Sequence, residues 1–139
     1  MTDYSATPFV KKLGIKEGFK VAFVNAPENF LAELGPLPAD VALTNSPRRS
    51  CDLILRFAKT EPELTKCFAR LSSRLVSNGM LWAAWPKKSS GVATNLSFEV
   101  VQRIGLGSGL VDTKICAIND VWSGLRFVIR LKDRHAGIL

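Results

Sequence analysis

Apolar positions along the chain fall into short blocks separated by polar, glycine- or proline-bearing segments, and the spacing within the blocks changes from one to the next. Phe19 to Val24 and Cys51 to Ala58 are compact, mostly apolar runs; Lys20 is the charge in the first, and in the second Asp52 stands near the start and Arg56 interrupts the apolar stretch that follows. Runs of this length between turn residues predict strands with both faces covered. Asp40 to Thr44 reads as a shorter strand, and Met80 to Trp85 as a buried one closed by Pro86.

Between these runs the spacing becomes helical. Leu64, Phe68, Leu71 and Leu75 recur at intervals of four, three and four, which places them on one face of a helix lying on a sheet. Thr60-Glu61-Pro62-Glu63 predicts its start, with Thr60 as cap and Pro62 in the first turn. Asn78-Gly79 is expected to end it. Shorter helices are expected over Pro8 to Leu13, and from Asn25-Ala26-Pro27-Glu28 to about Leu34, with Asn25 as the cap and Gly35-Pro36 as the stop. Leu96 to Ile104 predicts a further helix, capped by Thr94 or Asn95 and broken by Gly105, Gly107 and Gly109.

Val111 to Ile118 and Leu125 to Leu131 close the chain as two strands turning at Asn119-Asp120, an arrangement that favours an antiparallel pair. Strands separated by helices need parallel crossovers. The expected fold is therefore an α/β domain of three layers, Rossmann-like, with a mostly parallel sheet and a C-terminal antiparallel hairpin.

A chain of 139 residues fits one domain of this kind, residues 1–139, and is too short for two. Cys51, Cys67 and Cys116 are odd in number and each lies in an apolar run, which argues against a disulfide framework or a metal site. No apolar run reaches the length a membrane helix needs, and the first residues lack a secretory pattern. A cytoplasmic protein with no membrane partner is the expectation.

Nineteen Lys and Arg against twelve Asp and Glu give a formal charge of +7. Such a balance favours anionic partners, although the basic residues are scattered along the sequence rather than gathered in an arm.

Gly79-Met80-Leu81-Trp82, followed by Gly109-Leu110-Val111 and the terminal hairpin, resembles the second half of class I S-adenosylmethionine-dependent methyltransferases. The resemblance implies a methyltransferase-like fold. Leu13-Gly14-Ile15-Lys16, Val24-Asn25-Ala26-Pro27, Trp85-Pro86-Lys87-Lys88-Ser89-Ser90-Gly91 and Trp122-Ser123-Gly124-Leu125 together resemble a bacterial family of small proteins, a domain of unknown function. That second resemblance implies a Rossmann-like fold and carries no reaction. The methyltransferase pattern usually ends its first strand in a glycine loop, where this chain has Asn25-Ala26-Pro27. It also lacks an acidic residue after Val41-Ala42-Leu43-Thr44 for a ribose hydroxyl.

The segment from Trp85 to Asn95 is the leading candidate site, since it leaves the carboxyl end of a central strand, where open α/β sheets bind ligands. Lys87, Lys88, Ser89, Ser90, Gly91 and Thr94 could hold a phosphate or carboxylate there, with Asn25 nearby. The same residues also read as a turn with solvated lysines. Trp85 and Trp122 are candidates for ligand stacking and, alternatively, for core packing. Trp82 and Trp85 are expected on opposite faces of one strand.

Conventional catalytic residues find little support. The one histidine, His135, sits in a polar tail, Cys116 beside Lys114 reads as core, and Asp112 and Asp120 read as strand-end or turn residues. No catalytic residue and no metal ligand is assigned. The leading reading is thus a non-enzymatic domain that binds an anionic small molecule or a protein segment, with no cofactor. The alternatives are an atypical S-adenosylmethionine-dependent methyltransferase, and a nucleic-acid or phosphate binding protein. Oligomeric state is left open.

Overall fold

A computed structural model of the chain describes residues 9–48 and 50–134. Its strands are β1 (Lys20–Val24), β2 (Ala42–Thr44), β3 (Cys51–Phe57), β4 (Leu75–Pro86), β5 (Leu110–Ala117) and β6 (Trp122–Ile129). Its α-helices are α1 (Phe9–Leu13), α2 (Phe30–Leu34), α3 (Glu61–Ser72), α4 (Phe98–Gly107) and α5 (Leu131–Arg134). The strands form one sheet in the order β2-β1-β3-β4-β6-β5. The first four run parallel to one another, and β6 pairs antiparallel with both β4 and β5. The parallel sheet and terminal antiparallel pair agree with the pattern of apolar blocks.

Alternation along the strands builds two cores. Val21, Phe23, Leu53, Leu55, Phe57, Trp82, Ala84 and Trp122 meet α1 and α2 on one side. Ala22, Ile54, Leu81, Ala83, Trp85 and Phe127 meet α3 and α4 on the other. Trp82 and Trp85 accordingly lie on opposite faces, as their odd spacing requires. The Trp82 indole N–H donates to the Leu13 carbonyl oxygen at 2.9 Å, which ties α1 to the middle of the sheet and satisfies a buried donor.

Helix α3 starts as expected. Thr60 is extended and its hydroxyl accepts from the Glu63 amide, while Leu64, Phe68 and Leu71 are buried against the sheet. At about 1.5–3 kcal/mol for each large side chain, this face anchors the layer. The helix ends at Ser72 rather than at Asn78-Gly79, and Leu75 opens β4 instead of continuing the helical face. A bulge absorbs the difference: Leu75 pairs with Cys51, and Met80 already pairs with Leu53. Gly79 sits inside it, where an added Cβ would stand 3.0 Å from the Cys51 carbonyl oxygen.

Three further expectations are corrected. Asn25 does not cap α2: it stands at φ +59°, and the residue before the helix is Asn29. Helix α4 is capped by Ser97, whose hydroxyl accepts from the Val100 amide, not by Thr94 or Asn95. Asn95 instead takes the first amide of α3, accepting from the Glu61 N–H at 2.7 Å. Gly105 and Gly107 lie within α4 rather than breaking it, and the break falls at Gly109, at φ +90°.

Candidate functional site

The chain leaves β1, crosses to β2 on one side, and returns past β1 to β3 on the other. This reversal leaves the carboxyl ends of β1, β2 and β3 open around the residues that follow β1, the place where doubly wound sheets bind ligands. Asn25, in the left-handed conformation that Asn tolerates better than most residues, turns the chain there.

Two clefts meet at this turn. The larger, about 730 Å³, is lined by Phe23, Asn25 to Glu28, Leu31 and Leu43 to Asn45. The smaller, about 370 Å³, is lined by Asn25, Pro27, Phe57 to Lys59, Glu63 and Trp122. They share Asn25 and Pro27.

Between them lies a polar bridge. The Glu63 Oε2 accepts from Arg56 Nη2 at 3.0 Å and from Asn25 Nδ2 at 3.4 Å, and its Oε1 accepts from the Lys59 amide at 3.1 Å. One carboxylate thus joins the ends of β1 and β3 to the start of α3. Glu63 occupies this place because it sits one turn into a helix whose cap, Thr60, fixes the approach.

The larger cleft is chemically one-sided. Its apolar wall is Phe23, Ala26, Pro27, Leu31 and Leu43, its neutral polar groups are Asn25, Thr44 and Asn45, and its one charged lining residue is Glu28. Among the described residues no lysine or arginine lines it. Pro27 has no N–H, and Ala26 and Pro27 carry side chains where a glycine loop would present bare backbone.

The candidate loop lies elsewhere. Neither cleft includes a residue from Lys87 to Thr94 in its lining. Lys88–Ser90 forms a 3-10 turn ended by Gly91 at φ +76°. The Ser90 hydroxyl donates to the Lys87 carbonyl oxygen and accepts from the Val92 amide. The Thr94 hydroxyl donates to the Lys59 carbonyl oxygen at 2.6 Å. Ser90 thus holds the loop itself and Thr94 ties it to the segment after β3, while Lys88 and Ser89 are exposed and Lys87 is half-buried. The structure brings Asn25 to the clefts and leaves the rest of that candidate set apart from them.

Trp85 is buried in the core beneath α3 and α4. Trp122 is buried as well, its ring edge-on to Phe57 at 5.1 Å, yet it contributes to the lining of the smaller cleft. Cys116 is half-buried, and its thiol donates to the Ala117 carbonyl oxygen. Asp112 accepts from the Gln102 amide. His135 lies outside the described residues. Burial pushes the Cys51 and Cys67 thiols above their ordinary range, with Asp52 adding to the effect at Cys51; neither is poised as a nucleophile. Among the described residues no cluster of His, Cys, Asp and Glu could hold a metal ion, and no helix is long and apolar enough to cross a membrane.

Solved structures share this fold. An S-adenosylmethionine (SAM) dependent methyltransferase from Aquifex aeolicus superposes with a TM-score of 0.65 at 16% identity, over 87% of this chain and 87% of that one. The fold is methyltransferase-like. Magnesium protoporphyrin IX methyltransferase from Synechocystis PCC 6803, in a structure with bound SAM, matches with a TM-score of 0.59 at 11% identity, over 88% of this chain and 74% of its own. A protein from Bordetella parapertussis described as a possible exported protein matches at 0.63 and 10%, over 87% of this chain and 65% of that one. No family model and no curated protein matches this chain, so the resemblance to the small bacterial family rests on its motifs alone.

Sequence reasoning missed Glu28, Leu31, Leu43, Asn45 and Glu63 as cleft residues. One signal was present: Arg56 is the charge set among the apolar residues Leu53 to Phe57, and a charge so placed calls for a partner.

Proposed function

We propose that this chain binds S-adenosylmethionine or a close adenosyl relative in the larger cleft, on a methyltransferase-like scaffold, and that binding rather than methyl transfer is its role. One observation carries the proposal: the cleft opens at the carboxyl ends of β1 and β2, beside the strand reversal, and has a carboxylate but no cation in its lining. Leu31, Leu43 and Phe23 offer an apolar wall for a purine. Thr44 and Asn45 end β2 where a ribose hydroxyl is held in dinucleotide-binding relatives of this architecture, and an amide oxygen accepts as a carboxylate does. Glu28 favours a ligand of positive charge.

S-adenosylmethionine, when bound, supplies a methyl group on a positively charged sulfur. The two carboxylates lining the clefts are Glu28 and Glu63, and Glu63 is already engaged by Arg56, Asn25 and the Lys59 amide. That commitment supports binding over general-base chemistry. The transfer reading keeps one observation in its favour: the smaller cleft adjoins the larger at Asn25 and Pro27 and has room for an acceptor.

Calorimetry with S-adenosylmethionine and S-adenosylhomocysteine tests the proposal. Saturable binding of S-adenosylmethionine is expected, lost in Leu31→Arg, which adds bulk and positive charge to an exposed wall position. Glu28→Gln is expected to weaken S-adenosylmethionine several-fold and to change the binding of S-adenosylhomocysteine, which lacks the sulfonium charge, much less. Absence of saturable binding of either compound rejects the proposal, and multiple-turnover release of S-adenosylhomocysteine with an acceptor restores the transfer reading.

A further inference from the structure

A third pocket lies on the other face of β1 from the larger cleft, between the C-terminal half of α3 and the segment joining β2 to β3. It is about 320 Å³ in volume, and Val24, Asn45, Ser46, Arg48, Arg70 and Arg74 contribute to its lining. All three of its charged lining residues are arginines.

The arginines are poorly compensated. Arg74 Nη1 donates to the Arg48 carbonyl oxygen at 2.5 Å, which holds the guanidinium under the loop. Arg74 Nε is buried and, among the described residues, has no hydrogen-bond partner. The two ion pairs among the described residues are Arg56 with Glu63 and Arg103 with Glu61, so none of the three arginines has a carboxylate partner there. Three like charges around one small space repel, and a buried N–H without an acceptor marks a place where an acceptor is missing. Both costs fall when an anion enters.

We propose that this pocket binds the phosphoryl group of a small molecule. Guanidinium groups offer paired, planar donors that match phosphate and carboxylate oxygens. Three of them suit a phosphate ester, with close to two negative charges at neutral pH, better than a single carboxylate. The Asn45 amide and the Ser46 hydroxyl add neutral donors at the rim. The volume lies at the small end of ligand pockets, which run from about 300 to 1,000 Å³, so it accommodates one such group with a small substituent. The three arginines surround one space rather than forming a stripe, which favours a small molecule over a nucleic-acid backbone. The site stands apart from the adenosyl cleft: the two share Asn45 alone.

The test is calorimetry at constant ionic strength with inorganic phosphate and with pyrophosphate, on wild type and on Arg48→Gln, Arg70→Gln and their double variant. Arg48 and Arg70 are exposed, so their replacement leaves the fold intact, which circular dichroism verifies. Saturable binding weakened at least tenfold in the double variant, and unchanged in Lys16→Gln on a distant turn, is the expected result. Inorganic phosphate binding as well as pyrophosphate assigns the site to a single phosphoryl group, and preference for pyrophosphate to a diphosphate. No saturable binding of either anion, or equal binding by wild type and double variant, overturns the proposal. Retention of a single-stranded oligonucleotide with steep salt dependence, without binding of either small anion, overturns it in favour of a nucleic-acid surface. S-adenosylmethionine carries no phosphate, so failure here leaves the cleft assignment standing, and the reverse holds too.

Discussion

Arg56 Nη2 lies 3.0 Å from Glu63 Oε2, and because the same oxygen accepts from Asn25, one ion pair ties the carboxyl ends of two adjacent parallel strands. The Arg56 side chain is 11% exposed and that of Glu63 31%. Removing the carboxylate strands a nearly buried guanidinium.

Glu63→Ala is expected to destabilise the protein by about 2 kcal/mol, below the roughly 3–5 kcal/mol of a fully buried pair because Glu63 keeps some solvent. Glu61→Ala serves as the comparison. Its pair with Arg103 has side chains 40% and 65% exposed, and its loss should cost less than about 1 kcal/mol. Urea denaturation of the two variants checks the difference, and equal costs would contradict the view of Glu63 as the tie between the strands.

Two glycines of α4 should respond in opposite directions. A Cβ at Gly105 would stand 2.0 Å from the Phe127 ring, so Gly105→Ala is expected to cost about 1–3 kcal/mol through overpacking, with part recovered by adding Phe127→Leu. At Gly107 nothing lies within 4 Å of the added atom. Gly107→Ala should therefore leave stability unchanged or raise it by up to about 1 kcal/mol. Thermal denaturation of the three variants checks the pattern.

The buried thiols set a pH dependence. Burial, joined by Asp52 at Cys51 and partly opposed by Arg56 and Arg70 at Cys67, holds both pKa values above the ordinary 9.0. The unfolded chain therefore releases these protons at lower pH than the fold does. Their contribution to stability is fully present below 9.0 and is lost as pH rises through the folded values. Urea midpoints at about pH 8 and about pH 10 should fall more steeply with pH in wild type than in Cys67→Ala. In the native protein, half-buried Cys116 should be the first thiol to react with a water-soluble alkylating agent, as peptide mapping would show.

How much of this was legible beforehand depended on whether the signal was local. The strand and helix blocks, the Thr60 cap and the opposite faces of Trp82 and Trp85 follow from spacing and turn chemistry over a few residues. The end of α3 did not, because Leu75 continues the helical spacing while its pairing partner, Cys51, is remote in sequence. Gly105 read as a breaker for a similar reason: its packing against Phe127 is a tertiary fact that no local window contains. The candidate site divided along the same line. Asn25 was legible as the residue at the mouth of the first strand, whereas Glu28, Leu43 and Glu63 became site residues only once β1, β2 and β3 were side by side. Lys87 to Thr94 drew notice through its place after a central strand and its composition; there Ser90 bonds the backbone of its own loop and Thr94 the remote Lys59 carbonyl oxygen.

The most direct test of the central claim is a titration of isotopically labelled protein with S-adenosylmethionine, followed by amide chemical shifts. Saturable shifts concentrated at Asn25, Ala26, Glu28, Leu31 and Leu43 to Asn45 are the expected result. Absence of saturable shifts, or shifts centred on Lys87 to Thr94 with the larger cleft silent, would contradict it.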